Sequence, residues 1–471
     1  MHLPTLTPAS ENREIPAPPA SLDELIEQAG GAVKLLRGSR IGPYAFPVLP
    51  PAFTNWMDEQ RAWKNECAFL ELSYHMGELR LKGPDVIPLL SKLAVNKLDP
   101  FPVNRGKQIV VCNHDGQMIG EAICFHEPGD LFRLVGVACA LDWVQFNVAT
   151  GAYDLEMHRE LSVQFKSGGP RLYMFQIQGP SALDLMRDVA DGAFPEIPFF
   201  HIGEFTIKGR PARALRHGMA GAPGFEVYGP WEDQQLIREA FDVTGVKYRM
   251  RKIGGLAYPT AAAESGWMGL PIPAIYQGNA LKPFRQWLSP KHFEAMASLG
   301  GSFYSDNITD YYVDPIEIGY SGLIDRTREF MGHEALARRA RNQQRKKVTL
   351  VWNNDDVLDT IRSSIFPKNS VPGKYLNLPF VAHALFQYDA VMKQGRQIGV
   401  SQHCCYTANA QAVLSLSLVG IEHSAPGTEV TLLWGDVQSN RPIIEKHAIR
   451  EIRATVAPAP YFDKKIKTFA A

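Results

Sequence analysis

From residue 21 onward the apolar positions follow two rhythms, one of about 3.6 residues and one of two, and their order along the chain predicts a mixed α and β protein. SLDELIEQAGG (21–31) sets Leu22, Leu25 and Ile26 on one helical face. Ser21 and Glu24 stand at capping-box spacing ahead of it, and Gly30 and Gly31 stop the helix. GELRLKG (77–83) and FTIKG (205–209) alternate as strands do, while residues 109–113 and 121–125 read as the arms of a hairpin around HDGQ. GPDVIPLLSKLAVN (83–96) and GPSALDLMRDVA (179–190) share one pattern, a strand, then Gly-Pro, then an amphipathic helix, which predicts two related strand-to-helix units. In RHGMAGAPGFEVYGP (216–230), Ala220, Gly221, Ala222 and Gly224 run into an alternating strand that turns Glu226 away from Phe225 and Val227. From QRKKVTLVW (344–352) onward, β-branched runs including GTEVTLLWG and IREIRATVAP predict a small all-β domain over 344–471, with its boundary in the charged stretch ARRARNQQRKK.

A chain of 471 residues is long enough for several cores. Lys plus Arg equals Asp plus Glu, 49 against 49, so no basic face for nucleic acid is expected. Residues 1–20 hold five prolines and lack the basic start and apolar run of a signal peptide, which predicts a disordered tail. No apolar run approaches the length of a membrane span, and six cysteines without CxxC spacing suit reduced thiols, so a soluble cytoplasmic protein is expected. His403, Cys404 and Cys405 are consecutive, a spacing that seldom aims three ligands at one ion; a partly buried turn is the expectation, with no metal. GxGxxG, GxxxxGK[ST] and GxSxG are all absent, so catalysis has to rest on a less generic constellation.

Four stretches carry candidate chemistry. His75 precedes the strand in ELSYHMGELRLKGPD (71–85), and Gln176 and Gln178 share one strand face in FQIQGP (175–180), where they are able to donate and accept at once. Glu226 lies in the glycine-rich stretch above. GGLAYPTAAAESGWMGLPIPAIY (254–276) sets Tyr258 before a proline and leads through small residues to Glu264 and Trp267.

HMGELRLKGPD, FQIQGPSA, GFEVYGP, AESGW, REFMGHEAL and QRKKVTL, in that order, resemble the folate-binding T-protein of the glycine cleavage system. IGPYAFPV, RHGMAGAPG, AYPTAAAESGW, PIPAIY and GGSFYSDNITDYYVDPIEIGY are similar, within that family, to the tetrahydrofolate-dependent aryl O-demethylases acting on vanillate and syringate. The resemblance covers about residues 30 to 460. It implies a three-domain α+β fold, with two intertwined α+β domains over 21–343 and a C-terminal β-barrel or jelly roll. It also implies methyl transfer from a methoxy-arene to tetrahydrofolate. By position, Glu226, Gln176 and Trp267 would bind the folate, a carboxylate suiting the adjacent N–H donors of a pterin edge. Tyr258 would assist demethylation with His75 beside it, and Leu72, Ser73 and Val137 would line the substrate pocket.

The departures from that pattern narrow the expectation. Gly120 and Glu121 stand where the T-protein carries an Asp-Asp pair, which argues against aminomethyl transfer. Val137 stands where vanillate-type enzymes have an arginine, and Leu72 where they have a glutamine; without the arginine's fork an incoming carboxylate loses its partner, which favours a neutral methoxyphenol or an acid held elsewhere. Two rival readings remain: a methyltransferase of the same fold using a sulfonium or amine donor, and a folate-binding protein without turnover.

Overall fold

The computed structural model describes residues 19–439, 441 and 443–462. The tail predicted over 1–20 therefore lies outside the described residues, apart from Pro19 and Ala20. The architecture is α+β, built on three large sheets.

A five-stranded antiparallel sheet, in spatial order Arg105–Cys112, Met118–Glu127, Leu131–Gly136, Gly77–Lys82, Glu156–Glu160, contains the predicted hairpin. Its turn is closed by Asn113, whose Oδ1 accepts from the N–H groups of Asp115 and Gln117, with Gly116 at φ 71°. A six-stranded sheet runs Arg251–Lys252, Ala68–Glu71, Leu172–Gln178, Gly224–Pro230, Arg210–Arg216, Ile202–Ile207. Ala68–Glu71 precedes the whole five-stranded sheet in the chain, so the two sheets interleave in sequence. The strand predicted over 205–209 ends at Ile207 because Lys208 (φ 52°) and Gly209 (φ 73°) form the left-handed turn into its partner.

The strand, Gly-Pro, helix repeat is present in both sheets. Gly77–Lys82 leads to helix Val86–Leu93, and Leu172–Gln178 to helix Ala182–Val189. Gly83 (φ 141°) and Gly179 (φ 123°) make the two bends, and each packs so closely that a Cβ would come within 2.6 Å of a carbonyl oxygen, Asp154 and Glu66 respectively. No side-chain-bearing residue satisfies both demands.

The third sheet closes on itself. Arg345–Trp352, Ala412–Gly420, Arg396–Thr407, Asp389–Lys393, Glu429–Trp434 and Arg450–Ala457 form a six-stranded antiparallel barrel, with Phe380–Val381 added at its side. Its interior includes Leu350, Trp352, Val391, Leu432, Trp434 and Ile452. The region is not all-β: helix Asn354–Ile365 follows the first strand, started by Asn353, whose Oδ1 accepts from Asp356 N, and by Asp355 and Asp356 in its first turn. A hydrophobic cluster continues from the 86–93 helix through the five-stranded sheet to Val400, Leu416 and Leu418 of the barrel, so barrel and sheet share one core. Among the described residues no helix is long and apolar enough to cross a membrane.

Candidate active site

A cavity of about 760 Å³ opens where the five-stranded sheet, the 254–276 segment and the barrel meet. Its walls are mostly apolar and include Phe46, Met76, Val137, Met219, Tyr258, Trp267, Met268, Phe293, Phe380 and Phe386. Size and lining suit an aromatic ligand.

Tyr258 and His75 meet on this wall, with the tyrosine OH 3.1 Å from His75 Nε2. Tyr258 opens the single 3-10 turn Tyr258–Thr260, and its N–H bonds to Gly254 O at 3.0 Å. Gly254 is a glycine for a steric reason: a Cβ there would lie 2.5 Å from Pro51 O and Ala52 Cα. That approach draws the 41–52 segment over the site, and Phe46 packs edge-on against Tyr258 (centroids 4.7 Å) and His75 (5.1 Å). Burial pulls His75 down to about 3, so the imidazole is neutral at physiological pH. Burial, then the Glu226 carboxylate and Tyr44, push the Tyr258 phenol well above its usual range, so it holds its proton.

Glu226, Gln176 and Gln178 are brought together on the six-stranded sheet. Glu226 pairs directly across from Gln176, and Gly224 across from Gln178, and all three polar side chains are buried. Gln176 Nε2 donates to His217 O at 3.1 Å, and Gln178 Oε1 accepts from Met219 N at 2.9 Å. Gln176 Oε1 and Gln178 Nε2 are buried without a partner among the described residues, an acceptor and a donor left open beside the carboxylate. His217 Nδ1 stands 3.3 Å from Glu226 Oε1. None of the three lies on the wall of the large cavity; Met219, bonded to Gln178, does.

Trp267 is about one-third exposed on the cavity wall, and its Nε1 donates to Glu121 Oε1 at 2.5 Å. Glu121 also accepts from Gln108 Nε2 (2.5 Å) and Tyr320 OH (3.2 Å), and burial pushes its carboxyl up despite these donors. The residue standing in place of the Asp-Asp pair thus anchors the indole, a link invisible in sequence because 146 positions separate the two.

The other expected positions have differing surroundings. Leu72 is buried with Tyr228 and Ile253 in a neighbouring hydrophobic cluster. Together with Ser73 it surrounds a separate recess of about 40 Å³ that shares only Met76, Gly77 and Leu161 with the large cavity. Ser73 is engaged with the backbone, its Oγ accepting from Met174 N at 2.8 Å. Val137 does line the cavity, at the start of helix Ala138–Thr150. His403 and Cys404 are not in a turn but at a bulge within the strand Arg396–Thr407, and His403 Nε2 lies 2.9 Å from Pro259 O.

Glu264 is structural. It is 1 % exposed and accepts from Trp63 Nε1 (2.9 Å) and Asn409 Nδ2 (3.1 and 3.2 Å), tying three chain segments together. Burial raises its carboxyl to about 7. The folded state then holds a proton that the unfolded state has released, so its contribution to stability falls as pH rises from the ordinary carboxyl range to about 7. Glu264→Ala is expected to cost about 2–3 kcal/mol by stranding two buried donors. Glu264→Gln is expected to flatten the pH dependence of the unfolding midpoint in that window, checked by thermal unfolding between pH 5 and 8; an unaltered slope would assign the dependence to other groups.

The family model for the GCVT N-terminal domain matches residues 28–270. The chain is 36 % identical to syringate O-demethylase of Sphingobium sp. over 444 residues, covering 94 % of this chain and 96 % of that protein. It is 29 % identical to sesamin methylene transferase of Sinomonas sp. over 81 % of this chain and 82 % of the relative. The crystal structure of the glycine cleavage system aminomethyltransferase T from Bartonella henselae superposes with a TM-score of 0.60 at 15 % identity, covering 94 % of this chain and 98 % of that one, a likeness of fold. With a cavity at the junction of sheet and barrel, and with a relative matched along nearly its whole length, the chain belongs to the glycine cleavage T-protein (GCVT) family.

Proposed function

We propose that the protein is a tetrahydrofolate-dependent O-demethylase that moves a methyl group from a methoxy-arene to the folate and releases a phenol. The observation that carries this reading is the Tyr258–His75 pair on the wall of a largely apolar cavity that also holds Trp267. The kinship with a syringate O-demethylase supports it.

The residues present fit a pterin. Its edge offers N–H donors to the Glu226 carboxylate, and its ring acceptors and donors match the unpaired Gln178 Nε2 and Gln176 Oε1. Trp267, held by Glu121, offers an aromatic face on the side of the cavity. Tetrahydrofolate supplies, when bound, the N5 nucleophile that takes the methyl.

The chain's own groups handle the departing oxygen. As the methyl–oxygen bond breaks, negative charge grows on the ether oxygen, and the Tyr258 hydroxyl is the donor on the wall able to meet it. Tyr258 keeps its proton at neutral pH, and neutral His75, in the tautomer that carries its proton on Nε2, donates to the tyrosine oxygen and leaves the hydroxyl proton for the ether oxygen. Burial in the same apolar cavity raises the basicity of a forming phenolate in the same direction as that of Tyr258. Phe46, packed edge-on against both rings, gives that hydrogen bond an apolar neighbour.

A neutral methoxyphenol is the favoured donor. Val137 offers no charge, the Arg159 guanidinium on the cavity wall is committed to Asp142 (3.0 Å) and to the carbonyls of Glu78 and Glu160, and the lysine of the wall, Lys291, is exposed, where water screens its charge. Incubation with tetrahydrofolate and a panel of charged and neutral methoxyarenes, following 5-methyltetrahydrofolate by mass, tests the reading. Product with neutral donors is the expected result. Faster turnover of vanillate than of guaiacol would overturn the preference, and product with a sulfonium or amine donor alone would overturn the reaction.

A further inference from the structure

Successive side chains of a regular strand point to opposite sides. Gln402 and His403 nevertheless both line the cavity. The reason is the bulge in Arg396–Thr407, where Gln402 pairs with Leu416 and Cys404 with Ser415, leaving His403 as the extra residue at φ 48°. The bulge is pinned to the reacting centre, because His403 Nε2 bonds the carbonyl of Pro259, the residue after Tyr258. The ring of Phe380 packs edge-on against His403 at 5.1 Å and holds it from the other side.

Gln402 is therefore delivered to the cavity one residue from a strut that ends beside Tyr258. It is 6 % exposed, and its Nε2 is buried with no partner among the described residues. The other two glutamines on the same wall are occupied. Gln164 donates to Ala45 O, and Gln387 accepts from His383 N and donates to Asp389. An unmet buried amide is costly unless a ligand completes it.

We propose that Gln402 is a specificity-determining residue, whose carboxamide donates a hydrogen bond to an uncharged carbonyl substituent on the arene, away from the methoxy group that reacts. This rests on the reading of the protein as a methoxy-arene demethylase. A carboxamide suits a neutral acceptor, whereas a buried carboxylate would call for a buried cation: Val137 supplies none, Arg159 is held by Asp142, and the lysine of the wall, Lys291, is exposed to water.

The test compares vanillin, which carries the carbonyl, with guaiacol, which lacks it. For Gln402→Met, the ratio of kcat/KM for vanillin to that for guaiacol is expected to fall about 10- to 100-fold, the factor carried by one buried hydrogen bond left unmade. Gln402→Glu keeps the side-chain shape and puts an acceptor against the carbonyl, so the same ratio falls in it too and the test survives if the methionine variant does not fold. An unchanged or raised ratio in a folded variant overturns the role of Gln402 alone. A wild-type protein that demethylates neither compound overturns the reaction, and this proposal with it.

Discussion

Tyr258→Phe is expected to lower kcat by about 10²- to 10⁴-fold, the range for a positioned proton donor, while leaving tetrahydrofolate affinity unchanged. The substitution removes one oxygen and keeps the ring that packs against Phe46. The hydroxyl meets charge that exists only as the methyl–oxygen bond breaks, so its loss falls on turnover rather than on binding. His75 is neutral and half-buried, and on the proposed reading it orients that hydroxyl. Single-turnover kinetics with saturating folate, beside folate titration, separate the two effects. An unaltered rate would remove Tyr258 from the chemistry, and a parallel loss of folate binding would make it a folate contact instead.

Glu226→Ala is expected to weaken tetrahydrofolate binding by about 2–4 kcal/mol, the scale for stranding a buried charge-assisted partner. The strand places this carboxylate opposite Gln176 and next to the open hydrogen-bonding atoms of both glutamines, so its removal takes away the acceptor at the centre of the row. Calorimetric titration reads the loss directly. Thermal unfolding of the same variant controls for the lost contact with His217, and Glu226→Gln, which keeps an acceptor but no charge, is expected to fall between wild type and alanine. Full affinity in the alanine variant would move the pterin away from this sheet.

Local features were legible in the sequence wherever one short-range rule governed them. Ser21 caps its helix through Oγ to Glu24 N, as the spacing predicts. The Gly-Pro bends were readable because Gly83 and Gly179 are required both by backbone angle and by the carbonyls beside them. Helix Asn354–Ile365 was missed because its Val, Thr and Ile content reads as strand, while the deciding signal is the Asn353 cap with two acidic residues behind it.

The candidate site divides in the same way. His75 and Tyr258 stand in two separate candidate stretches, and only family resemblance joins them, since 183 residues separate two side chains that share one hydrogen bond. Leu72, just past the strand Ala68–Glu71, lines the small recess and not the large cavity, a placement that position in a motif does not reveal. Glu121 and Gln402 carry no local signal at all. Closure of the sheet against the 254–276 segment sets the first under Trp267, and a one-residue bulge in the barrel turns the second into the cavity.

The most direct test of the central claim follows the atoms. Guaiacol labelled with ¹³C in the methyl group and ¹⁸O in the ether oxygen is incubated with the protein and tetrahydrofolate, and both products are read by mass. The account predicts ¹³C in 5-methyltetrahydrofolate and full retention of ¹⁸O in the catechol, because the bond broken is the one between methyl carbon and oxygen. Label appearing as methanol or formaldehyde with the folate unchanged, or ¹⁸O lost from the phenol, would contradict it.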